Sequence, residues 1–275
     1  MSNSLWLRAP LEGAKISTGT PVLATDISVG YPGDRQVLRR LRIEVFPGEY
    51  VGLVGESGAG KSTLALAILR LLGHLGGAVS GRILLLGRDL MRCDERRMRD
   101  IRGRQVSLIP QSPASALSPA LRLETQLREA WRAHSSEEWR AQRERIGSLL
   151  DAAGLPGEHG FLRKFPGEIS VGQAQRVLIV MALLHGPALL IADEPTSALD
   201  VITQRDVLEL LGRIGRERQM SILFISHDLP TVAALCSRIA ILHGGEIVES
   251  GPTMEVLKEP RHPYTKRLIE AVPKW

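Results

Sequence analysis

The sequence predicts an α/β fold built on a largely parallel central sheet, with an antiparallel β portion near the N-terminus and an inserted helical part. Three observations carry this expectation. Short apolar runs with strand character recur along the chain, and helical periods separate several of them. The early runs are punctuated by the turn-type stretches "YPGDR" and "FPG", which suit an antiparallel arrangement. Residues 121–153 are mostly helical, polar and rich in Arg and Glu, and they lie between two strand-bearing halves.

Taken in order, residues 1–20 show no clear period and read as a loose tail. Strand-like runs follow at "VLATDISV", "LRIEVF", "EYVGLVG" and "RILLLG", and later at "QVSLIP", "ALLIAD", "SILFIS" and "RIAILHGGEIVES". Helical periods stand out at 61–72, 201–218 and 229–235. The basic stretch "RDLMRCDERRMRDIRGR" also carries Asp89, Asp94, Glu95 and Asp100. Glu95 and Arg99 are spaced i,i+4, as on a solvated helix face.

Composition narrows the setting. The chain has 275 residues and 44% hydrophobic residues, enough for a sizeable core in one large domain or two small ones. No apolar stretch approaches the ~18–20 residues that span a bilayer. The N-terminus has no basic segment followed by an apolar run, so no signal peptide is expected. Cys93 and Cys236 are far apart without metal-type spacing, which suits a reducing cytoplasm. A net charge of +5 raises a nucleic-acid partner, but aromatics at 4% are too few for a base-stacking platform. No nucleic-acid partner is expected.

The first chemical signal is "EYVGLVGESGAGKST". Residues Gly55, Glu56, Ser57, Gly58, Ala59, Gly60, Lys61 and Ser62 match G-x-x-x-x-G-K-[ST], followed by Thr63. A strand precedes this loop and a helix follows it, as the motif requires. Glycines let the backbone turn several N–H groups toward one anion, and the helix N-terminus adds partial positive charge. Lys61 can then reach the β- and γ-phosphates, and the Ser62 hydroxyl can ligate Mg²⁺.

The second signal is "ALLIADEP", which places Asp193 and Glu194 at the end of an apolar strand. A carboxylate delivered beside a phosphate loop suits a Mg²⁺ shell, assigned to Asp193. A second one can polarise an attacking water, assigned to Glu194. A third stretch, "ISVGQ", opens a long helical period. Ser170 and Gln173 are spaced S-x-x-Q, a capping box at the start of a helix ended by Gly186 and Pro187. The same helix N-terminus can instead bind an anion.

With these motifs in this order, joined by "SALD" at 197–200, "SH" at 226–227 and Gln111 after "VSLIP", the sequence resembles the ATP-binding cassette family over residues 22 to about 272. The resemblance implies a P-loop NTPase nucleotide-binding unit over 21–260, with a helical subdomain at about 113–168. It also implies two such units facing head to tail around two ATP molecules. Ser170, Gly172 and Gln173 would then meet nucleotide held by the partner. His227 resembles the switch histidine that contacts the γ-phosphate. Gln111 resembles the Q-loop residue that contacts Mg²⁺ or water and links to a membrane subunit. Asp200 closes a loop that crosses to the partner, and Tyr31 sits where an aromatic would stack on adenine.

"PQSPASALSPALRLETQLREAW" and "PRHPYTKRLIEAVP", the latter in a C-terminal motif at 261–275, are similar to the peptide and nickel importer ATPases. That likeness implies a second, different ATPase subunit, two integral membrane permease subunits and an extracytoplasmic substrate-binding protein. It places the chain at the cytoplasmic face of the membrane. Without a C-terminal cysteine cluster, no iron–sulfur centre is expected. The competing class, a soluble cassette ATPase in translation or DNA repair, usually carries tandem cassettes or a long coiled coil, and neither occurs here. A non-hydrolysing subunit is disfavoured by Glu194 and His227. Val171, where glycine would be easier, implies ordinary backbone angles and a side chain turned away from phosphate.

Overall fold

The structure is a computed structural model describing residues 19–33, 35–139, 143–156 and 159–272. The expected N-terminal tail lies outside the described residues, apart from Gly19 and Thr20.

Two sheets form the frame. The first is antiparallel: β1 (Leu23–Tyr31), β2 (Arg35–Val45), β4 (Ala78–Leu85) and β5 (Arg88–Asp89), in the order β2-β1-β4-β5. Along β1, residues Leu23, Thr25, Ile27 and Val29 are buried while their neighbours are less so, the period-2 mark of a sheet with one covered face. The second sheet contains β3 (Tyr50–Val54), β6 (Val106–Ile109), β7 (Leu189–Asp193), β8 (Ser221–Ser226), β9 (Arg238–His243) and β10 (Glu246–Pro252). Its order is β10-β9-β3-β8-β7-β6, parallel throughout except for the β9–β10 hairpin. Strands β3, β7 and β8 are buried at every residue, as continuous apolar runs covered on both faces should be.

Helices cover both faces. On one side α1 (Lys61–Ile68) and α2 (Glu95–Ile101) pack between the two sheets, where Leu64 and Ile68 meet Ile27, Leu53 and Ile191. The expected 61–72 helix ends early because Arg70 takes φ 52, and a short 3₁₀ turn follows at Leu72–Leu75. Glu95 and Arg99 are both exposed, as expected of a solvated helix face. Glu95 pairs with Arg102, just beyond the end of α2, and not with Arg99. The Arg102 guanidinium is drawn in by the Leu69 carbonyl and takes Glu95 on the way.

The helical part comprises α3 (Pro113–Ala116), α4 (Leu123–Arg132), α5 (Arg143–Ala152) and α6 (His159–Leu162), before α7 (Val171–Leu183) returns to the sheet. Leu123, Leu127 and Trp131 lie on one face of α4 at i, i+4, i+8 and are buried. On the second face of the sheet, α7, α8 (Val201–Glu217) and α9 (Leu229–Leu235) enclose Val177, Leu211, Phe224 and Val232. The chain closes with α10 (Thr253–Lys258) and α11 (Pro263–Glu270). Among the described residues no helix is long and apolar enough to cross a membrane.

Candidate functional site

Four neighbouring parallel strands, β3-β8-β7-β6, release their chains at the same edge of the sheet. In open α/β sheets that edge, beyond the strand C-termini, is where ligands bind. Here β3 runs into the glycine-rich loop, β8 into His227, β7 into Asp193 and Glu194, and β6 into Gln111. Residues spread over more than half the sequence therefore meet because of strand order alone.

The loop is wound for its task. Gly58 and Gly60 take φ 82 and φ 106, angles that glycine tolerates best, and Gly60 caps α1. The Ala59 N–H closes a turn on the Glu56 carbonyl at 3.1 Å. Lys61 is buried, and its ammonium donates to the carbonyls of Gly55 (2.8 Å) and Glu56 (2.9 Å). Burial pulls the Lys61 ammonium below the ordinary lysine value, while Glu194 and Asp193 push the other way. Ser62 is exposed at the first turn of α1. Ser57 is exposed and Thr63 half-buried.

Glu194 is the centre of the polar group. Its carboxylate accepts from the Gln111 side-chain amide at 2.9 Å, stands 3.1 Å from His227 Nδ1 and lies 3.7 Å from Lys61 Nζ. Its backbone has φ 46, in the left-handed region that costs a non-glycine residue about 1–3 kcal/mol. The Glu194 N–H donates to the Ile225 carbonyl at 2.9 Å, which ties this turn to β8. A cavity of about 180 Å³ lies alongside, lined by Glu194, Thr196, His227 and Asp228 among others.

Asp193 is buried, and its Oδ1 has no hydrogen-bond partner. Burial pushes its carboxyl above the usual range, and the Ser62 hydroxyl beside it works in the opposite sense. An unpartnered buried carboxylate oxygen next to a serine hydroxyl is a donor set that a hard cation would complete. The two residues therefore fit Mg²⁺.

The remaining predicted residues form a second group. Ser170 caps α7: its Oγ accepts from the Gln173 N–H and the Gln173 side chain accepts from the Ser170 N–H, both at 3.1 Å. Val171 begins α7 in ordinary helical geometry and its side chain is 51% exposed. Gly172 is needed for close approach, since a Cβ there would stand 2.6 Å from the Thr203 methyl. Thr203 in turn donates its hydroxyl to Asp200 at 2.7 Å, and Asp200 caps α8 by accepting from the N–H groups of Ile202 and Thr203. The "ISVGQ" and "SALD" loops are thus packed together. Tyr31 closes β1 and its ring packs against Gly77. Sequence reasoning missed Gln204, which donates to Thr231 at 2.8 Å and reaches Asp228 at 3.4 Å beside His227. It missed Tyr264 as well, whose hydroxyl lies 3.1 Å from the Glu56 N–H. No local motif signals either contact.

Comparison with known proteins agrees with this fold. The family model described as ABC transporter matches residues 38–197. The chain belongs to the ATP-binding cassette (ABC) transporter family. A second model, oligopeptide/dipeptide transporter C-terminal region, matches residues 248–275 of the same cassette chain. The cassette is 40% identical over 245 residues to the dipeptide transport ATP-binding protein DppD of Bacillus subtilis, covering 89% of this chain and 73% of that one. It is 42% identical over 238 residues to a putative peptide import ATP-binding protein of Brucella ovis, covering 84% and 70%. Among solved structures, the ATP-binding subunit of an ABC transporter superposes with a TM-score of 0.70 at 32% identity, covering 87% of this chain and 92% of that one. A dimeric ATP-binding cassette in a post-hydrolysis state, bound to ADP and Pi, superposes with a TM-score of 0.71 at 25% identity, covering 84% and 98%. The cassette is an ATPase that works with ATP and Mg²⁺.

Proposed function

We propose that this cassette is the ATP-hydrolysing subunit of a peptide importer, working with a second nucleotide-binding subunit on two separate membrane subunits fed by an extracytoplasmic binding protein. The observation that carries it is the pairing, in one chain, of the cassette with the oligopeptide/dipeptide transporter C-terminal region. That pairing favours peptides over nickel or metal chelates as cargo, and a membrane-peripheral subunit over a soluble ATPase of translation or DNA repair.

The site supports a division of roles. Lys61 and the N–H groups of the loop receive the β- and γ-phosphates, with the ammonium leaving the Gly55 and Glu56 carbonyls. Ser62 and Asp193, with Gln111, would hold Mg²⁺, which when bound would neutralise charge on the transferring phosphoryl group. Glu194 polarises the attacking water, and Gln111 and His227 hold its carboxylate in place. Tyr31 stacks on adenine. Ser170, Gly172 and Gln173 complete the site of the partner subunit, and Asp200 shapes the loop that crosses to it. The chain alone is therefore mostly monomeric and a feeble ATPase.

The test is uptake of labelled di- and tripeptides by cells whose only copy of this chain carries Glu194→Gln. Loss of peptide uptake with nickel uptake intact supports the reading. Intact peptide uptake refutes it.

A further inference from the structure

We propose that Tyr264 is a positioning residue for the phosphate loop: its hydroxyl takes the Glu56 N–H and so fixes the entry of the loop in the shape that receives MgATP. No nucleotide contact is asked of it. The proposal rests only on nucleotide binding at this loop, so it stands or falls separately from the cargo.

The geometry is specific. Tyr264 is 2% exposed and, with Thr265, is one of two buried residues of α11. Its ring stacks on His243, with centroids 3.9 Å apart and ring planes inclined at 21°. His243 ends β9, the strand beside β3, and β3 runs directly into the loop. The carbonyl of Leu242 lies so close to Gly55 that a Cβ there would stand 2.4 Å from it. The loop entry is therefore held on one side by β9 and from above its second residue by the tyrosine hydroxyl.

The helix that carries Tyr264 is itself pinned. The Glu249 carboxylate accepts from the N–H groups of Arg261 (2.8 Å) and His262 (3.0 Å), and His262 Nδ1 accepts from the Tyr264 N–H at 3.2 Å. Glu249 lies in β10, so the hairpin β9–β10 supplies both the ring's stacking partner and the anchor of its helix. A tyrosine needed only for packing would be served by its ring. Here the one polar atom of a buried side chain is spent on a main-chain N–H of the phosphate loop, 208 residues away in sequence. The segment that marks peptide-transporter chains is in this way built into the nucleotide site.

The experiment uses the full chain with Tyr264→Phe, which keeps the ring, its stack and its burial and removes the hydroxyl alone. MgATP affinity is measured by titration, hydrogen exchange over residues 54–60 by mass spectrometry, and Tm by scanning calorimetry. The expected result is a three- to tenfold weaker Kd for MgATP and faster exchange in the loop, with Tm little changed. In the assembled ATPase the same variant raises KM for ATP and leaves kcat near its starting value. An unchanged Kd with unchanged loop exchange overturns the proposal, as does a fall in Tm with Kd intact. Should the Phe variant not fold, Glu249→Gln, which loosens the start of α11, is expected to weaken MgATP in the same direction. An unchanged Kd there also overturns it.

Discussion

The Gln111 amide donates to Glu194 Oε2 at 2.9 Å across 83 residues of sequence. The bond joins the ends of two adjacent parallel strands, β6 and β7. With His227 and Lys61 on Oε1, Glu194 is held on both carboxylate oxygens. Preorganisation of this kind separates binding from chemistry, and the first prediction uses that separation.

Glu194→Gln keeps the shape of the site but removes the charge that polarises water. Turnover should fall about 10²–10⁴-fold, with MgATP affinity within threefold. Lys61→Ala removes a charge-assisted contact to phosphate worth about 1.5–3 kcal/mol and should weaken MgATP at least tenfold. Equal loss of affinity in both variants would refute the split.

Val171 starts α7 in ordinary helical angles with an exposed side chain. Val171→Gly in the assembled ATPase should change turnover less than threefold, about 0.65 kcal/mol in the barrier. Ser170→Ala should cost about 1 kcal/mol of stability in the isolated chain through the lost cap, and should also lower turnover of the assembly. A stability loss without a turnover loss would leave the cap as the whole role of Ser170.

Glu49 is fully buried and meets the Arg238 guanidinium at 2.7 and 2.9 Å while accepting from the Phe46 N–H. Removing one partner strands a buried charge, so Arg238→Ala should destabilise by about 3–5 kcal/mol in urea unfolding. Pairing it with Glu49→Gln should recover most of that loss. A double variant as unstable as the single one would argue against the stranded charge.

His185 stacks on Trp131 and meets His134 edge-on, with Nε2 3.2 Å from the Ala130 carbonyl. Burial pulls its imidazole below the ordinary histidine value; the Ala130 carbonyl opposes this, and His134, Arg145 and Arg104 add to it. A lowered folded value means that the neutral form is favoured by folding. The contribution is fully present above the ordinary value and fades as pH falls through it toward the folded one. Between pH 7.5 and 5.5 the wild type should therefore lose more stability than His185→Gln, which keeps a donor and cannot titrate. Parallel loss in both would remove His185 as the cause.

Most of the frame was legible because burial on both faces leaves an unmistakable trace: "YVGLV" and "SILFIS" have no polar face to hide. The phosphate loop was legible because its chemistry is contiguous. The capping box of Ser170 and Gln173 was read from spacing alone and is present. What spacing could not provide was company. That Gln111 and His227 converge on Glu194 follows from strand order, which no local pattern encodes. Thr203 against Gly172, and Tyr264 on the phosphate loop, depend on helices packing edge to edge. The Glu95–Arg102 pair was out of reach for a similar reason, since a backbone carbonyl 33 residues away decides where Arg102 points.

The position of β3 has a consequence for how the chain is made. Its two neighbours are β8 and β9, and Val51 pairs with Leu223 and Arg238. A ribosome emits the phosphate loop early and the strands that flank it late. Until then the nascent β3 is an apolar ribbon with both edges open, the kind of segment that invites wrong pairing and chaperone capture. Closing so long a loop is slow rather than prohibitive, because its entropic cost grows only with the logarithm of length. Nucleotide competence in this chain is thus a late event of synthesis, conferred when the second half of the polypeptide folds back around the first.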